Sequence, residues 1–335
     1  MVPVRWGCLG NATIARDHIF PAVMKSDLVD MRALASRDPE RAKSTAGRFG
    51  IAAVYGSYDE LLADPRIEAV YIPLPNSLHV PWTIKAAEAG KHVLCEKPIA
   101  LDAREAETLL AVRDRTGCLI QEAFMVHSSP QWLRARELVK SGAIGEVNAI
   151  SWQFSFFDRD AGHANNRADL GGGALYDIGC YPITTSRFIF AAEPRRVVAL
   201  IDRDPDFKVD RLESVLLDFG GGRQASFVCS MQLADHQRVT LLGTAGRITL
   251  QVPCNASADA PNRLMIDDGS ALDDVSSRVE AIPVFDQYTI EFDEFSKAVR
   301  GERQQVTPLE DAVANMRVID AVFRSAAEDR WVDVV

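Results

Sequence analysis

The chain of 335 residues contains no C-x-x-C pair, and its six cysteines (8, 95, 118, 180, 229 and 254) are scattered. That excludes the common zinc spacings and a dithiol redox motif, and the cysteines read as free thiols of a reducing compartment. Positive charge is not in excess either: 37 Lys and Arg stand against 47 Asp and Glu, a net charge of −10. An acidic chain without a basic stripe argues against nucleic acid or an anionic membrane as the main partner. No apolar run approaches the roughly 18 residues that a spanning helix needs. The N-terminus passes straight into a strand pattern without a signal-like apolar stretch, so the expected location is the cytoplasm. No histidine or carboxylate set has metal-ligand spacing, and no metal is expected.

What is present is ordinary for a globular protein: 47% hydrophobic and 25% charged residues, at a length that suggests two domains. Over the first part, short apolar runs alternate with helical patterns, as in βαβ units. Strands are expected at 4–9, 31–35, near Val54, at 69–72, 93–95 and 119–121. The intervening helices carry start and stop signals: Asp38 before Pro39, Ser57, Gly90, and Asp102 with Gly117. Pro21 interrupts the helix expected over 13–25. The pattern then changes to helices at 130–141 and 175–189 and strand-like runs from 146 to 252. Residues 256–277 read as irregular, and helices at 288–299 and 309–327 close the chain. The fold class is therefore α/β: a doubly wound parallel Rossmann sheet over 1–122, then a second α/β domain over 123–335 with an open, mostly antiparallel sheet, for which the resemblance given below implies a large sheet and a substrate-binding and oligomerisation role.

The glycine fingerprint after the first strand is incomplete. Gly10, Ala12 and Ala15 occupy the G-x-G-x-x-G/A positions, and Ala12 stands where a second glycine lets backbone approach a pyrophosphate. Backbone N–H groups from Asn11 through Thr13 to Ile14 would face the phosphates. At the end of the second strand, Ser36 and Arg37 stand where an NAD-specific site would place an acidic residue on the ribose 2′-hydroxyl. A hydroxyl and a guanidinium suit a 2′-phosphate, so NADP is expected over NAD. Arg41 and Lys43 read better as a solvated helix face. After the fourth strand, Pro73, Leu74, Pro75 and Asn76 form a rigid loop, with Asn76 capping the next helix, lining the cofactor, or both. His79 near a helix start reads by itself as structural. The fifth strand ends in Glu96-Lys97-Pro98, charge at the carboxyl edge of a buried strand, where ligands of open α/β sheets bind.

Gly7 to Ala15, Asn76-x-x-His79, Glu96-Lys97-Pro98 and the run Gly171-Gly172-Gly173-Ala174-Leu175-Tyr176-Asp177-Ile178-Gly179-Cys180-Tyr181-Pro182 together resemble the Gfo/Idh/MocA oxidoreductases. The resemblance spans nearly the whole chain. It implies a Rossmann domain followed by an open-sheet domain, with Lys97 beside the nicotinamide and the substrate. It also implies catalytic roles for Asp177 and Tyr181. Many members have histidine where Tyr181 stands; tyrosine resembles the glucose–fructose oxidoreductase, dihydrodiol dehydrogenase and xylose dehydrogenase-like branch, and implies an aldose, diol or related carbonyl as substrate. The expected cofactor-binding residues are Gly10, Asn11, Ala12, Thr13, Ile14, Ser36, Arg37, Leu74, Asn76, His79, Glu96 and Lys97. The expected substrate-binding residues are Lys97, Arg167, Asp177 and Tyr181.

The chemistry follows from the side chains. A free tyrosine, with a pKa near about 10, is a poor base at neutral pH. A nearby ammonium stabilises the phenolate, so Lys97 and Tyr181 together make a general acid/base for moving a hydroxyl proton. Each residue also has a plainer reading: Lys97 in a structural ion pair, Tyr181 packed on the sheet, Asp177 as a helix N-cap, Arg167 on the surface and Gly171–Gly173 as a loose loop. Trp152, Phe154 and Phe156 share a strand face and read as core or subunit packing. The expected function is an NADP-dependent oxidoreductase transferring a hydride between nicotinamide and a sugar, polyol or related hydroxyl or carbonyl carbon. The alternatives are a catalytically silent NADP-binding sensor and a deoxysugar ketoreductase. The expected assembly is a homodimer or homotetramer through the C-terminal sheet.

Overall fold

The computed structural model describes residues 2–335. Six strands build a wholly parallel first sheet: β1 (Val4–Leu9), β2 (Val29–Ala35), β3 (Ala53–Tyr55), β4 (Ala69–Ile72), β5 (His92–Glu96) and β6 (Ile120–Ala123), in the order β3-β2-β1-β4-β5-β6. That order reverses between β1 and β4, which opens a crevice at their carboxyl ends. Every residue of β4 is buried, as a strand covered on both faces requires. The helix signals work as read. Asp38 caps Pro39–Phe49 by accepting from the Arg41 amide at 3.1 Å, and Asp102 caps Ala103–Thr116 by accepting from the Glu105 amide at 2.8 Å. The segment after β1 is wound as a π-turn, Ala15–Ile19, and then a single α-turn, Phe20–Val23, around the donor that Pro21 lacks.

Nine strands build the second sheet: β7 (Val147–Phe157), β8 (Arg196–Arg203), β9 (Asp210–Gly220), β10 (Arg223–Ser230), β11 (Gln232–Gly243), β12 (Gly246–Leu250), β13 (Asn262–Asp267), β14 (Arg278–Ile282) and β15 (Val332–Asp333). Their order is β14-β13-β12-β11-β7-β10-β9-β8-β15, antiparallel except where β10 lies parallel to β7. The segment expected to be irregular holds β13. Leu264 and Ile266 are buried there, alternating with less buried Arg263 and Met265, and the flanking Asp, Ser and Asn residues hide this short period-two pattern in the sequence. Trp152 is core: it stacks on Trp132 at 5.7 Å between ring centroids.

The chain divides into two compact units. The first runs to Met125 and takes in Asp286–Val313; the second comprises Val126–Phe285 and Ala314–Val335. A single boundary at residue 122 therefore assigns one segment differently. The helix Gln287–Val299 belongs with the first sheet because Phe292 and Phe295 pack on Trp6, at 4.8 and 5.4 Å between ring centroids, and Phe292 also meets Tyr71 at 5.2 Å. Trp6 donates its indole N–H to Ser296 of the same helix at 3.2 Å. All six cysteines are buried, and none is joined in a disulfide. Among the described residues, no helix is long and apolar enough to cross a membrane.

Phe292 is fully buried. Phe292→Ala is expected to cost about 3–5 kcal/mol of stability, read as a lower urea midpoint for loss of the first unit's tryptophan signal from Trp6.

Candidate active site

The loops after β1, β2 and β4 meet around a cavity of about 270 Å³ at the sheet's reversal point, lined by Gly10, Asn11, Ala12, Ser36, Arg37, Asp38, Arg41, Tyr58, Pro73, Leu74, Pro75 and Leu78. Gly10 adopts φ +119°, and a Cβ there would approach Leu74 Cδ2 to 2.9 Å, so the turn requires glycine. Ala12 stands in the wall without closing it. Thr13 and Ile14 lie in the helical turn behind, where the Thr13 hydroxyl accepts from Arg16 at 3.1 Å. Both side-chain polar atoms of Asn11 are shielded from solvent and have no hydrogen-bond partner among the described residues. A buried amide in that state calls for a ligand with polar groups. Arg37 and Arg41 bring two guanidinium groups to the same cavity. Arg41 is thus part of the wall while remaining exposed on its helix. Asp38, the acidic neighbour, is committed to capping its helix. The Ser36 hydroxyl accepts from the Asp38 amide at 3.1 Å. Tyr58, which sequence reasoning did not single out, lines the cavity and packs edge-on against Trp82 at 4.8 Å. These groups fit a phosphorylated dinucleotide.

The second cluster lies at the end of β5. The Lys97–Pro98 peptide is cis. Glu96 Oε1 accepts from the Tyr71 hydroxyl, and Glu96 Oε2 accepts from the Lys97 amide at 3.3 Å. The next turn is pinned where Glu122 accepts from the Ile99 amide at 2.7 Å. His79 is only 1% exposed. Its Nδ1 lies 2.7 Å from the Pro98 carbonyl oxygen and its Nε2 lies 2.7 Å from that of Leu74. The imidazole therefore lies between the Lys97 loop and the loop that walls the cofactor cavity, donating its one neutral-state N–H to one of the two carbonyls and to both when protonated. Both ring nitrogens are occupied by backbone, so His79 acts as scaffold rather than as a cofactor contact, a correction to its listing with the cofactor residues. Asn76 opens a short 3₁₀ turn, Asn76–Leu78, in the same connection. Two further residues reach this cluster from the helix Gln287–Val299. Tyr288 and Glu291 are both shifted upward, first by burial and then by the Glu96 charge, and the Lys97 ammonium opposes the shift at Tyr288.

The third cluster belongs to the second unit. Gly173 has φ +133°, and a Cβ on it would meet Asp210 Oδ1 at 2.2 Å; one on Gly172 would meet the Asn165 carbonyl at 2.4 Å. The glycine run is therefore a close-packed joint rather than a loose loop. It lets Asp210 reach under the following turn, where Oδ2 accepts from the Leu175 amide at 2.6 Å. That turn, Leu175–Gly179, is a π-turn and runs into the helix Cys180–Phe190. Asp177 sits inside the π-turn, not at an N-cap, and its Oδ2 accepts from Asn165 Nδ2 at 2.9 Å. Tyr181 is 7% exposed, with its ring 6.1 Å from that of Phe154. A Cβ on Gly179 would come within 3.0 Å of Glu213 Oε1. Glu213 is fully buried, and burial pushes its carboxyl well above the usual range. Asp210 and Glu213 were also missed in the sequence. They are three apart on one strand, and a register shift between Asp202 and Arg203 of the neighbouring strand lets both turn inward. Arg167 is exposed and pairs with Asp169 at 3.1 Å through Nε.

A family model for Gfo/Idh/MocA, described as an oxidoreductase family with an NAD-binding Rossmann fold, matches residues 4–124, and the GFO/IDH/MocA C-terminal domain model matches 132–249. The chain belongs to the Gfo/Idh/MocA oxidoreductase family. Its Gfo/Idh/MocA relatives include an uncharacterised oxidoreductase of Rhizobium meliloti, 48% identical over 98% of both chains. Another is an NADP(+)-dependent D-xylose 1-dehydrogenase of Haloferax volcanii, 36% identical over 96% of this chain and 97% of that one. A solved structure of a 3-ketoreductase from Actinomadura kijaniata in complex with NADP and TDP-benzene superposes with a TM-score of 0.90 at 32% identity, covering 96% of this chain and 98% of the other. The helix Gln287–Val299 lies outside both family models.

His79 yields a pH test. Burial lowers its ionisation below the ordinary histidine value, while the two carbonyls pull it back up. The unfolded imidazole binds a proton near about pH 6.5, and the folded one resists until a lower pH. Stability is therefore full above that value and falls as pH drops through it. His79→Gln is expected to lose less stability than the parent between about pH 7.5 and 5.5, measured by urea unfolding at each pH. An unchanged difference would remove His79 from the account.

Proposed function

We propose that this chain is an NADP-dependent oxidoreductase acting on a hydroxyl or carbonyl carbon of a sugar or polyol, with Lys97 and Tyr181 handling the proton. NADP, when bound, supplies the two-electron redox chemistry. The residues supply the rest. Tyr181 exchanges a proton with the substrate oxygen, and the Lys97 ammonium stabilises the phenolate that this leaves. Asp177, oriented by the Asn165 amide on its Oδ2, holds a substrate hydroxyl. Arg167 is left a lesser part, since Asp169 already neutralises it.

The observation that carries the reading is a spacing. Lys97 and Tyr181 are 84 positions apart, and so are the lysine and the tyrosine whose replacements were crystallised in the Actinomadura kijaniata 3-ketoreductase. Relatives named for free-sugar oxidation and for reduction of a deoxysugar nucleotide both cover most of this chain, which keeps deoxysugar ketoreduction as a second reading. The open face of the second unit's sheet, with Leu200 73% exposed beside Val198, Leu216 and Val228 in a groove of about 430 Å³, is proposed as the surface of a homodimer or homotetramer. The cytoplasm is the proposed location.

The deciding experiment is a panel of aldoses, polyols and TDP-linked keto-sugars followed by NADPH absorbance and repeated with NAD. Turnover of a free sugar with NADP is the expected outcome; turnover confined to TDP-linked ketones selects the second reading. Lys97→Met is expected to lower turnover about 10²–10⁴-fold while NADP still binds, and full turnover by that variant would overturn the proton-transfer assignment. Arg37→Ala removes a charge-assisted contact to the 2′-phosphate. It is expected to weaken NADP binding about 10–100-fold and leave NAD binding nearly unchanged, as read by fluorescence titration.

A further inference from the structure

The helix Gln287–Val299 carries a buried carboxyl group on the face that covers the first sheet. Glu291 is 4% exposed, and its Oε1 has no hydrogen-bond partner among the described residues. Tyr288 lies three positions earlier and so on the same helical face. Phe292, the next residue, packs at 5.2 Å on Tyr71, and the Tyr71 hydroxyl is the donor to Glu96. Phe295, four positions after Glu291 and on its face, packs on Trp6 at 5.4 Å, so Glu291 is buried where this helix covers the first sheet. The other titratable groups facing this region are Cys8 from β1, Glu96 and Lys97 from the end of β5 and His18 from the π-turn, whose ring lies 5.8 Å from Tyr288.

Glu96 and Lys97 are partly exposed, whereas Glu291 is buried with one oxygen unpaired, and a carboxyl so placed keeps its proton. Glu96 accepts from the Tyr71 hydroxyl and the Lys97 amide, two donors that favour its ionised form. Glu291 has no such donors on Oε1, and burial and the Glu96 charge both hold its carboxyl well above the usual range. We propose that Glu291 is a positioning residue of the active site, an un-ionised carboxylic acid that leaves Glu96 as the carboxylate answering the Lys97 ammonium. With Tyr71 and Tyr288 it makes a neutral, polar floor, so the ammonium is held toward Glu96 and is not drawn down toward the helix. This inference rests on Lys97 being the cation of the proposed reaction, but the state of Glu291 is measurable without turnover.

The test uses the full chain without added cofactor. The infrared difference between the parent and Glu291→Gln at neutral pH is expected to show the carbonyl stretch of a protonated carboxylic acid in the parent alone. Loss of a carboxylate band instead would overturn the proposal. A second measurement follows Lys97 by limiting amine acylation and peptide mass spectrometry across pH. Its midpoint is expected to move by less than about 0.3 units in Glu291→Gln and to fall by about one unit in Glu96→Gln. An equal fall in both variants would show Glu291 to be ionised and end the proposal. If Lys97→Met kept full turnover while the infrared band remained, the proposed reaction would fail and the assignment of Glu291 would stand.

Discussion

Glu96 and Lys97 end a strand buried on both faces, and charge in such a place must be answered from within the protein. Much of the first unit can be read as that answer. Tyr71 on the neighbouring strand donates to Glu96, Glu122 on the other neighbour fixes the turn after Pro98, and His79 lies between the same turn and Leu74. The helix Gln287–Val299 completes the surroundings from far along the chain. Its aromatic residues are the apolar lid on Trp6 and Tyr71, and its Glu291 shares the low-dielectric space with Glu96. His79 stands between the cofactor cavity and the lysine loop, because Leu74 lines the one and Pro98 belongs to the other.

The second unit solves the same problem with glycine. Asp210 and Glu213 are carboxyl groups brought against backbone, and each needs a residue without a Cβ opposite it: Gly173 for the first, Gly179 for the second. Asp210 is satisfied by the Leu175 amide and so caps the π-turn that carries Asp177. The glycines of this motif serve packing against buried acids. Replacing either would force a carboxylate to move, and with it the turn that aims Asp177.

This division explains what was legible in the sequence. The strands of the parallel sheet, the caps at Asp38 and Asp102 and the Gly10 turn are local, written in contiguous residues and their spacing. The glycine run, Asp177 and Tyr181 were also visible, as a compact motif. Several features were not. Tyr288 and Glu291 reach the Lys97 cluster across roughly 190 residues of chain, and nothing in an amphipathic helix near the C-terminus says which sheet it will cover. Asp210 and Glu213 depend on a strand irregularity that alternation cannot foresee. Arg41 looked like one more charge on a helix face, because only the fold shows that this end of the helix opens on a cavity. His79 was seen, but its two backbone partners come from loops that sequence separation hides.

The cavity's charge decides the cofactor more firmly than the two residues first noticed. Asp38 also lines it, and an acidic group there would repel a 2′-phosphate if it faced the ligand. Its Oδ1 accepts from the first turn of its helix, so part of its charge is spent on N–H groups that would otherwise be unsatisfied. Arg37 and Arg41 then leave the cavity net positive, and Ser36 supplies a hydroxyl beside them. An adenosine ribose with two free hydroxyls would leave both guanidinium groups without an anion. A 2′-phosphate supplies the anion and accepts from both in charge-assisted geometry. The fit to NADP thus depends on a carboxylate engaged in capping as much as on the arginines themselves.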